Sequence, residues 1–182
     1  MTNLPESGAF LDTRRIVSAL GGLSGLRVAD LGCGAGFFTI DLARAVGKDG
    51  IISAADIMEE PLQSVQARAS AAGLENVRTI RADLEVLGGT KIADGSQDLV
   101  LVANVLFQSQ KKEAILAEAV RILRSGGRLL VVDWKKGAGG FGPPESLRTD
   151  EATMQALVGS VGVRFQQALD AGAFYYALLF IK

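Results

Sequence analysis

The chain has 182 residues, 48% of them hydrophobic and 21% charged, with 19 basic against 20 acidic side chains and a net charge of −1. This composition excludes wholesale disorder, and the length predicts one domain over residues 1–182. The near-neutral charge supplies no field for a nucleic-acid backbone; the absence of histidine removes the commonest metal ligand and general base; and the single cysteine, Cys33, forbids an internal disulfide. No uncharged run approaches the roughly 18 residues needed to span a bilayer, so no integral membrane association is expected. The N-terminus lacks the apolar core and cleavage site of a signal peptide, and a cytoplasmic protein is expected. Neither a metal site nor a nucleic-acid partner is expected, and no feature sets an oligomeric state.

Short β-branched runs alternate with longer amphipathic segments along the chain, a pattern that predicts βαβ units. Asp12 is a helix cap, and the helix it starts reaches Leu20, with Ile16, Val17, Ala19 and Leu20 on the apolar side and Gly21-Gly22 at the end. Residues 26–31 read as a strand, GCGAG as a turn, 37–46 as a helix and 51–55 as a second strand. Pro61 suits the first turn of a helix running to Ala72, and Gly73 stops it before the strand at 77–81. After a polar loop, Asp98 opens the most apolar strand, 99–103, whose continuous LVLVA run predicts a central parallel strand covered on both faces. A helix at 111–123, Gly126-Gly127 and a strand at 128–132 follow. Residues 135–146, rich in glycine and carrying Pro143-Pro144, read as a loop. A last helix near 150–158 precedes two strands, 163–169 and 174–181, close enough to pair as a hairpin. The expected fold is α/β: a doubly wound, Rossmann-like sheet of seven mostly parallel strands with an antiparallel C-terminal hairpin strand.

The chemistry concentrates at three strand ends. In VADLGCGAGFFT, Asp30 closes a strand and Gly32, Gly34 and Gly36 fill the turn into a helix, so that backbone can approach a ligand closely. The third glycine comes two positions after the second instead of three, which departs from the dinucleotide fingerprint and argues against hydride chemistry. Asp56 follows the second strand, where a carboxylate can accept both hydroxyls of a ribose, and Asp83 follows the third, where it could accept from an adenine amine.

These motifs resemble those of the class I S-adenosylmethionine-dependent methyltransferases over nearly the whole chain. VADLGCGAGFFT is similar to their first motif, AADI to the second, RADLEV to the third, DLVLVANVLF to the fourth and ILRSGGRLLVVDWK to the segment around the fifth strand. The small-molecule branch that includes the ubiquinone and menaquinone biosynthesis methyltransferases is the most similar. The resemblance implies S-adenosylmethionine as cofactor and a methyl transfer to a small, apolar acceptor by in-line displacement. The alternative is a non-catalytic module that keeps the cofactor pocket as a regulatory or interaction site. Carried onto this sequence, it implies Gly32, Gly34 and Gly36 along the methionine moiety and Asp56 on the ribose. It also implies Ile57 packed on the adenine, Asp83 with the Leu84 backbone at the adenine amine, Asn104 near the methionine end and Asp30 toward the cationic side.

Two departures bear on the chemistry. The segment after the fourth strand often carries a histidine in this branch and here reads Asn104, Val105, Leu106, Phe107, Gln108; and the Asn/Asp-Pro-Pro-aromatic motif of amino-group methyltransferases is missing. Gln108 and Asp133 are the expected catalytic residues, Asp133 as a base if the acceptor needs one and Lys135 behind it. Phe10, Phe37, Phe107 and Trp134 are candidate walls for an apolar acceptor, with Arg14 nearby. Residues 1–25 are expected to form a helical segment capping the cofactor site. Cys33 reads as a small filler, without the histidine partner that a nucleophile would use.

Overall fold

The computed structural model describes residues 11–182. In chain order the elements are α1 (Thr13–Leu20), β1 (Arg27–Leu31), α2 (Phe37–Val46), β2 (Ile51–Asp56), α3 (Glu59–Ala71), β3 (Val77–Arg81), β4 (Gln97–Ala103), α4 (Lys112–Ile122), β5 (Leu123–Trp134), α5 (Glu151–Ser160), β6 (Arg164–Leu169) and β7 (Tyr175–Ile181). The strands form one sheet ordered β3-β2-β1-β4-β5-β7-β6. The first five are parallel; β7 runs antiparallel to both β5 and β6, between which it is inserted. The seven strands and the C-terminal hairpin thus follow the pattern expected from the sequence, and β4 occupies the middle of the sheet.

Its position explains the LVLVA run: Leu99, Val100, Leu101 and Val102 are all buried because helices cover both faces. On one face α1 and α2 pack Ile16, Val17, Leu20, Phe38 and Leu42 against Val28, Ile52, Leu101 and Leu130. On the other, α4 and α5 bring Ile115, Leu116, Met154 and Val158 onto Leu31, Val102, Val131 and Leu178. Asp12 caps α1 by accepting the Arg15 N–H at 3.1 Å, and Asp150 caps α5 by accepting the Thr153 N–H at 2.9 Å. Ala19, expected on the apolar side of α1, is exposed; the narrower stripe of Ile16, Val17 and Leu20 makes the contact.

Boundaries shift by about two residues at β4 and α5, and by more at β5. β5 begins at Leu123, directly after α4, and passes through Gly126-Gly127, where the sequence suggested a break. Pairing holds the glycines in place: the Gly126 N–H donates to the Lys182 carbonyl at 2.8 Å, the Lys182 N–H to the Gly127 carbonyl at 3.0 Å, and Leu123 stands opposite Gln97. The register shift between Gln97 and Leu99 absorbs the irregularity, so the pair acts as a bulge inside a strand.

The strand order reverses between β1 and β4. At the carboxyl ends of these two neighbours the helices diverge to opposite faces and leave a crevice, the usual ligand position in open α/β sheets.

Candidate functional site

A cavity of about 730 Å³ fills that crevice. Its lining includes Asp30, Gly32 and Gly34 after β1, Asp56 and Ile57 after β2, Asp83, Leu84 and Glu85 after β3, and Asn104, Gln108 and Ser109 after β4. Four carboxyl groups and no lysine or arginine face it among the described residues.

The glycine turn makes room in two ways. Gly32 has φ +76°, and a Cβ there would stand 2.2 Å from the Val105 side chain, so the turn passes against the segment after β4 with no space for a larger residue. Gly36, at φ +82°, starts α2 and would collide with Val65; it packs α2 against α3 and does not itself line the cavity. Gly34 turns its N–H to the Asp56 carboxylate at 3.0 Å, while the other Asp56 oxygen accepts the Met58 N–H at 3.0 Å. Each carboxylate oxygen offers about two lone-pair sites, so both keep acceptor capacity toward the cavity.

Asp30 is 2% exposed and accepts the Thr39 hydroxyl at 2.6 Å. Burial pushes its carboxyl up to about 6; the Thr39 hydrogen bond works against this and the charge of Asp56 adds to it. Asp83 accepts the Glu85 N–H at 2.9 Å, which folds the loop so that Leu84 and Glu85 both reach the cavity wall. Across from them, Asn104 has left-handed backbone, φ +57°, and its buried Oδ1 has no hydrogen-bond partner among the described residues. A buried acceptor left open at a cavity wall is a position for a ligand donor.

Gln108 lines the cavity from a 3₁₀ turn, Leu106–Gln108, with its Nε2 donating to the Asn104 carbonyl at 3.4 Å. Asp133 lies behind that turn and is not among the lining residues. It is 2% exposed; one oxygen accepts the Phe107 N–H at 3.1 Å and the other the Trp134 N–H at 2.8 Å. Burial raises its carboxyl to about 6, although the two N–H groups and Lys112 act to lower it. Phe107, Trp134 and Lys135 do not line the cavity either. Trp134 packs on Tyr175 with centroids 4.2 Å apart, and Lys135 donates its Nζ to the Gly172 carbonyl at 3.3 Å. Phe37 does line it and is 60% exposed, while Phe10 lies outside the described residues. Cys33 is buried beside Ala54, Leu62 and Val65, and burial raises its thiol, which keeps it protonated.

Several contributors were not anticipated. Glu85 and Ser109 join the two walls, the Ser109 hydroxyl donating to Glu85 at 2.7 Å and Lys111 pairing with the same carboxylate at 3.2 Å. Thr13, at the start of α1, lines the cavity and donates its hydroxyl to Asp41 at 2.6 Å. Arg148, 5% exposed, donates to the carbonyls of Lys135, Phe141 and Pro143 and so fastens the glycine-rich loop. Glu85 had a weak sequence signal, two positions after Asp83; Thr13 and Arg148 had none, because their partners are remote or lie on backbone.

Comparison with known proteins places the chain in a family and agrees with the fold. The chain is 34% identical over 138 residues to a ubiquinone/menaquinone biosynthesis C-methyltransferase of Azotobacter vinelandii, covering 75% of this chain and 53% of that one. It is 35% identical over 115 residues to an arsenite methyltransferase of Aquipseudomonas alcaligenes, covering 61% and 33% respectively. It therefore spans about half the length, or less, of these relatives. Among solved structures, a SAM-dependent methyltransferase from Aquifex aeolicus shares the fold with a TM-score of 0.86, at 23% identity and with 99% of this chain and 95% of that one covered. A type 11 methyltransferase described from Sulfolobus solfataricus superposes with a TM-score of 0.70 at 26% identity, with 85% and 82% covered. The model of a methyltransferase domain family matches residues 23–167, which takes in β1 through α5, part of β6 and every cavity wall except Leu11 and the start of α1, and the chain belongs to that family.

Proposed function

We propose that this chain moves the methyl group of S-adenosylmethionine to a small acceptor with an apolar body, in the cytoplasm. The observation that carries the reading is the sequence of polar groups around one cavity: Asp83, then Asp56, then Asp30 with the open Oδ1 of Asn104. In that order they suit an adenine amine, two ribose hydroxyls and an ammonium group. Asp30, Asp56 and Asp83 have no lysine or arginine partner among the described residues and favour a ligand bearing positive charge; only Glu85 is paired, with Lys111.

When bound, the cofactor supplies a methyl group on a sulfonium, already activated for displacement. The protein's part is then alignment and exclusion of water. Asp56 would fix the ribose, Ile57 and Leu84 would enclose the adenine, and Asp30 and Asn104 would orient the amino-acid end. Gln108, on the wall after β4, would donate its amide to an oxygen of the acceptor. Asp133 would act as a positioning residue: its carboxylate holds the Phe107 N–H and thereby the turn that carries Gln108. Its burial behind the turn does not suit a base in contact with an acceptor.

Arsenite is the less suitable acceptor class for these residues. Trivalent arsenic is soft and takes thiolate ligands, whereas the only thiol, Cys33, reaches the cavity wall at 8% exposure and is held protonated. An apolar organic acceptor matches the walls given by Leu11, Phe37, Phe38, Val105 and Ile115.

The test is calorimetry with S-adenosylmethionine, S-adenosylhomocysteine and NAD, followed by S-adenosylhomocysteine release across a panel of quinols, phenols and arsenite. The reading expects binding of the first two, none of NAD, and turnover with a member of the organic set. Tighter binding of NAD, or turnover confined to arsenite, overturns it.

A further inference from the structure

Charge is segregated around the mouth of the cavity. Among the described residues the cavity itself is lined by carboxyl groups and by no lysine or arginine, yet a second groove of about 450 Å³ opens beside it between α1, α2 and α3, lined by Arg14, Arg44 and Arg68. Thr13 and Phe37 line both spaces, so the two share a wall.

Of these arginines, Arg14 and Arg68 have no carboxylate partner among the described residues. There Asp41 is the only carboxylate on the groove, and it is already engaged by the Thr13 hydroxyl at 2.6 Å and by Arg44 at 3.4 Å. The Arg68 guanidinium lies 4.6 Å over the Phe37 ring and has no carboxylate partner among the described residues; Arg14, exposed on α1, has none either. One guanidinium thus lies over an aromatic ring that is 60% exposed, and a second, Arg14, lines the same groove. Guanidinium groups bind carboxylate and phosphate oxygens in a fork geometry, and an exposed ring offers the adjoining surface for a flat apolar body.

We infer that the groove is an anion subsite for the methyl acceptor, which carries a carboxylate or phosphate group held by Arg14 and Arg68 while its apolar body lies against Phe37 toward the cavity. The inference rests on the methyltransferase reading and narrows it to anionic acceptors. It also gives the segregated charge a use. The cationic donor is drawn to the acidic cavity and the anionic acceptor to the basic groove, so each ligand is turned away from the other's place.

The test uses the full chain saturated with S-adenosylhomocysteine and titrated with benzoate, inorganic phosphate and methyl benzoate, binding being read by NMR shifts of the Arg14, Phe37 and Arg68 amides. Saturable binding of benzoate or phosphate, but not of the neutral ester, is expected, weakened about tenfold in Arg14→Gln and in Arg68→Gln because each removes one charge-assisted contact. Tighter benzoate points to a carboxylate on a ring, and tighter phosphate to a phosphate ester. Donor affinity, measured in parallel, is expected to stay within about twofold of wild type for both variants, given that one decade corresponds to about 1.4 kcal/mol. Anion binding that is absent or indifferent to both substitutions overturns the inference. So does a loss of donor affinity in Arg14→Gln, which would assign the arginine to the donor's own carboxylate. Failure of the wild-type chain to bind the donor would instead count against the methyltransferase reading.

Discussion

Asp56 and Asp133 both lie near the ends of strands at the same edge of the sheet, yet their surroundings separate their roles. Asp56 lines the cavity with acceptor capacity to spare; Asp133 spends both oxygens on backbone N–H groups behind it. Asp56→Ala should weaken donor binding by about 1.5 to 3 kcal/mol, the range for hydrogen bonds to a charged group, with the fold intact. Asp133→Ala should leave donor affinity near its wild-type value and lower the turnover number by loosening the turn that carries Gln108. The conservative Asp133→Asn separates positioning from proton transfer: its amide oxygen can still accept the Phe107 N–H, while its N–H₂ faces the Trp134 N–H and leaves that donor unpaired. A positioning residue is then rescued in part relative to alanine, whereas a base would lose about 10²- to 10⁴-fold in rate and take an inflection of the pH–rate profile with it. Calorimetry and turnover on the three variants decide between these outcomes.

Between β3 and β4 runs the loop that carries Asp83, Leu84 and Glu85, and α4 anchors it through Glu118. This carboxylate, fully buried, accepts the Gly88 N–H at 2.7 Å, the Thr90 N–H at 3.1 Å and the Thr90 hydroxyl at 2.5 Å, and pairs with Arg121 at 2.8 Å. Burial alone would raise its carboxyl, but the hydrogen bonds from Arg121, Thr90 and Gly88 bring it down to about 2. Arg121 extends the anchor to the Ile92 carbonyl and to Asp94. Glu118→Gln turns an amide N–H₂ toward donors and leaves one of them buried and unpaired. A loss of about 3 kcal/mol is expected, a fall of roughly 6 to 12 °C in melting temperature for a chain of this size. Urea unfolding measures it, and an unchanged midpoint would show that the loop is held elsewhere. This network also marks where sequence reading stops. The strand runs and glycine turns obey local rules that can be read from spacing, and so Asp30, Asp56 and Asp83 are placed at the cavity by counting along βαβ units. Glu118 and Arg121 look like an ordinary exposed pair on a helix, because their partners, Thr90 and the Gly88 N–H, come from a loop about 30 residues away whose path has no periodic signature.

At the scale of the whole molecule, the sheet order puts two buried carboxyl groups into the interior near the crevice, and this sets the pH dependence of stability. Burial raises both Asp30 and Asp133 to about 6 from the ordinary 3.8. Asp30 faces Thr39 and the charge of Asp56; Asp133 faces the Phe107 and Trp134 N–H groups and Lys112. Between pH 4 and 6 the folded chain therefore holds protons that the unfolded chain has released, and stability declines as pH rises through that window. Each group costs at most about 3 kcal/mol at neutral pH, by the conversion of about 1.4 kcal/mol per pH unit. Glu118 acts in the opposite sense, since its lowered carboxyl contributes stability above 4.5 that is lost as pH falls toward 2. Together the contribution of these three groups peaks at about pH 4 and falls toward pH 7. A bound donor with an ammonium beside Asp30 favours the carboxylate, so donor affinity should fall as pH drops below about 6. The donor's stabilising effect should accordingly be larger at pH 7 than at pH 5. Urea unfolding from pH 4.5 to 8, with and without S-adenosylmethionine, tests both statements. A ligand-free stability that climbs steadily from pH 5 to 8, or a donor effect that does not depend on pH, would mean that Asp30 is ionised in the empty cavity and that the donor's charge is met elsewhere.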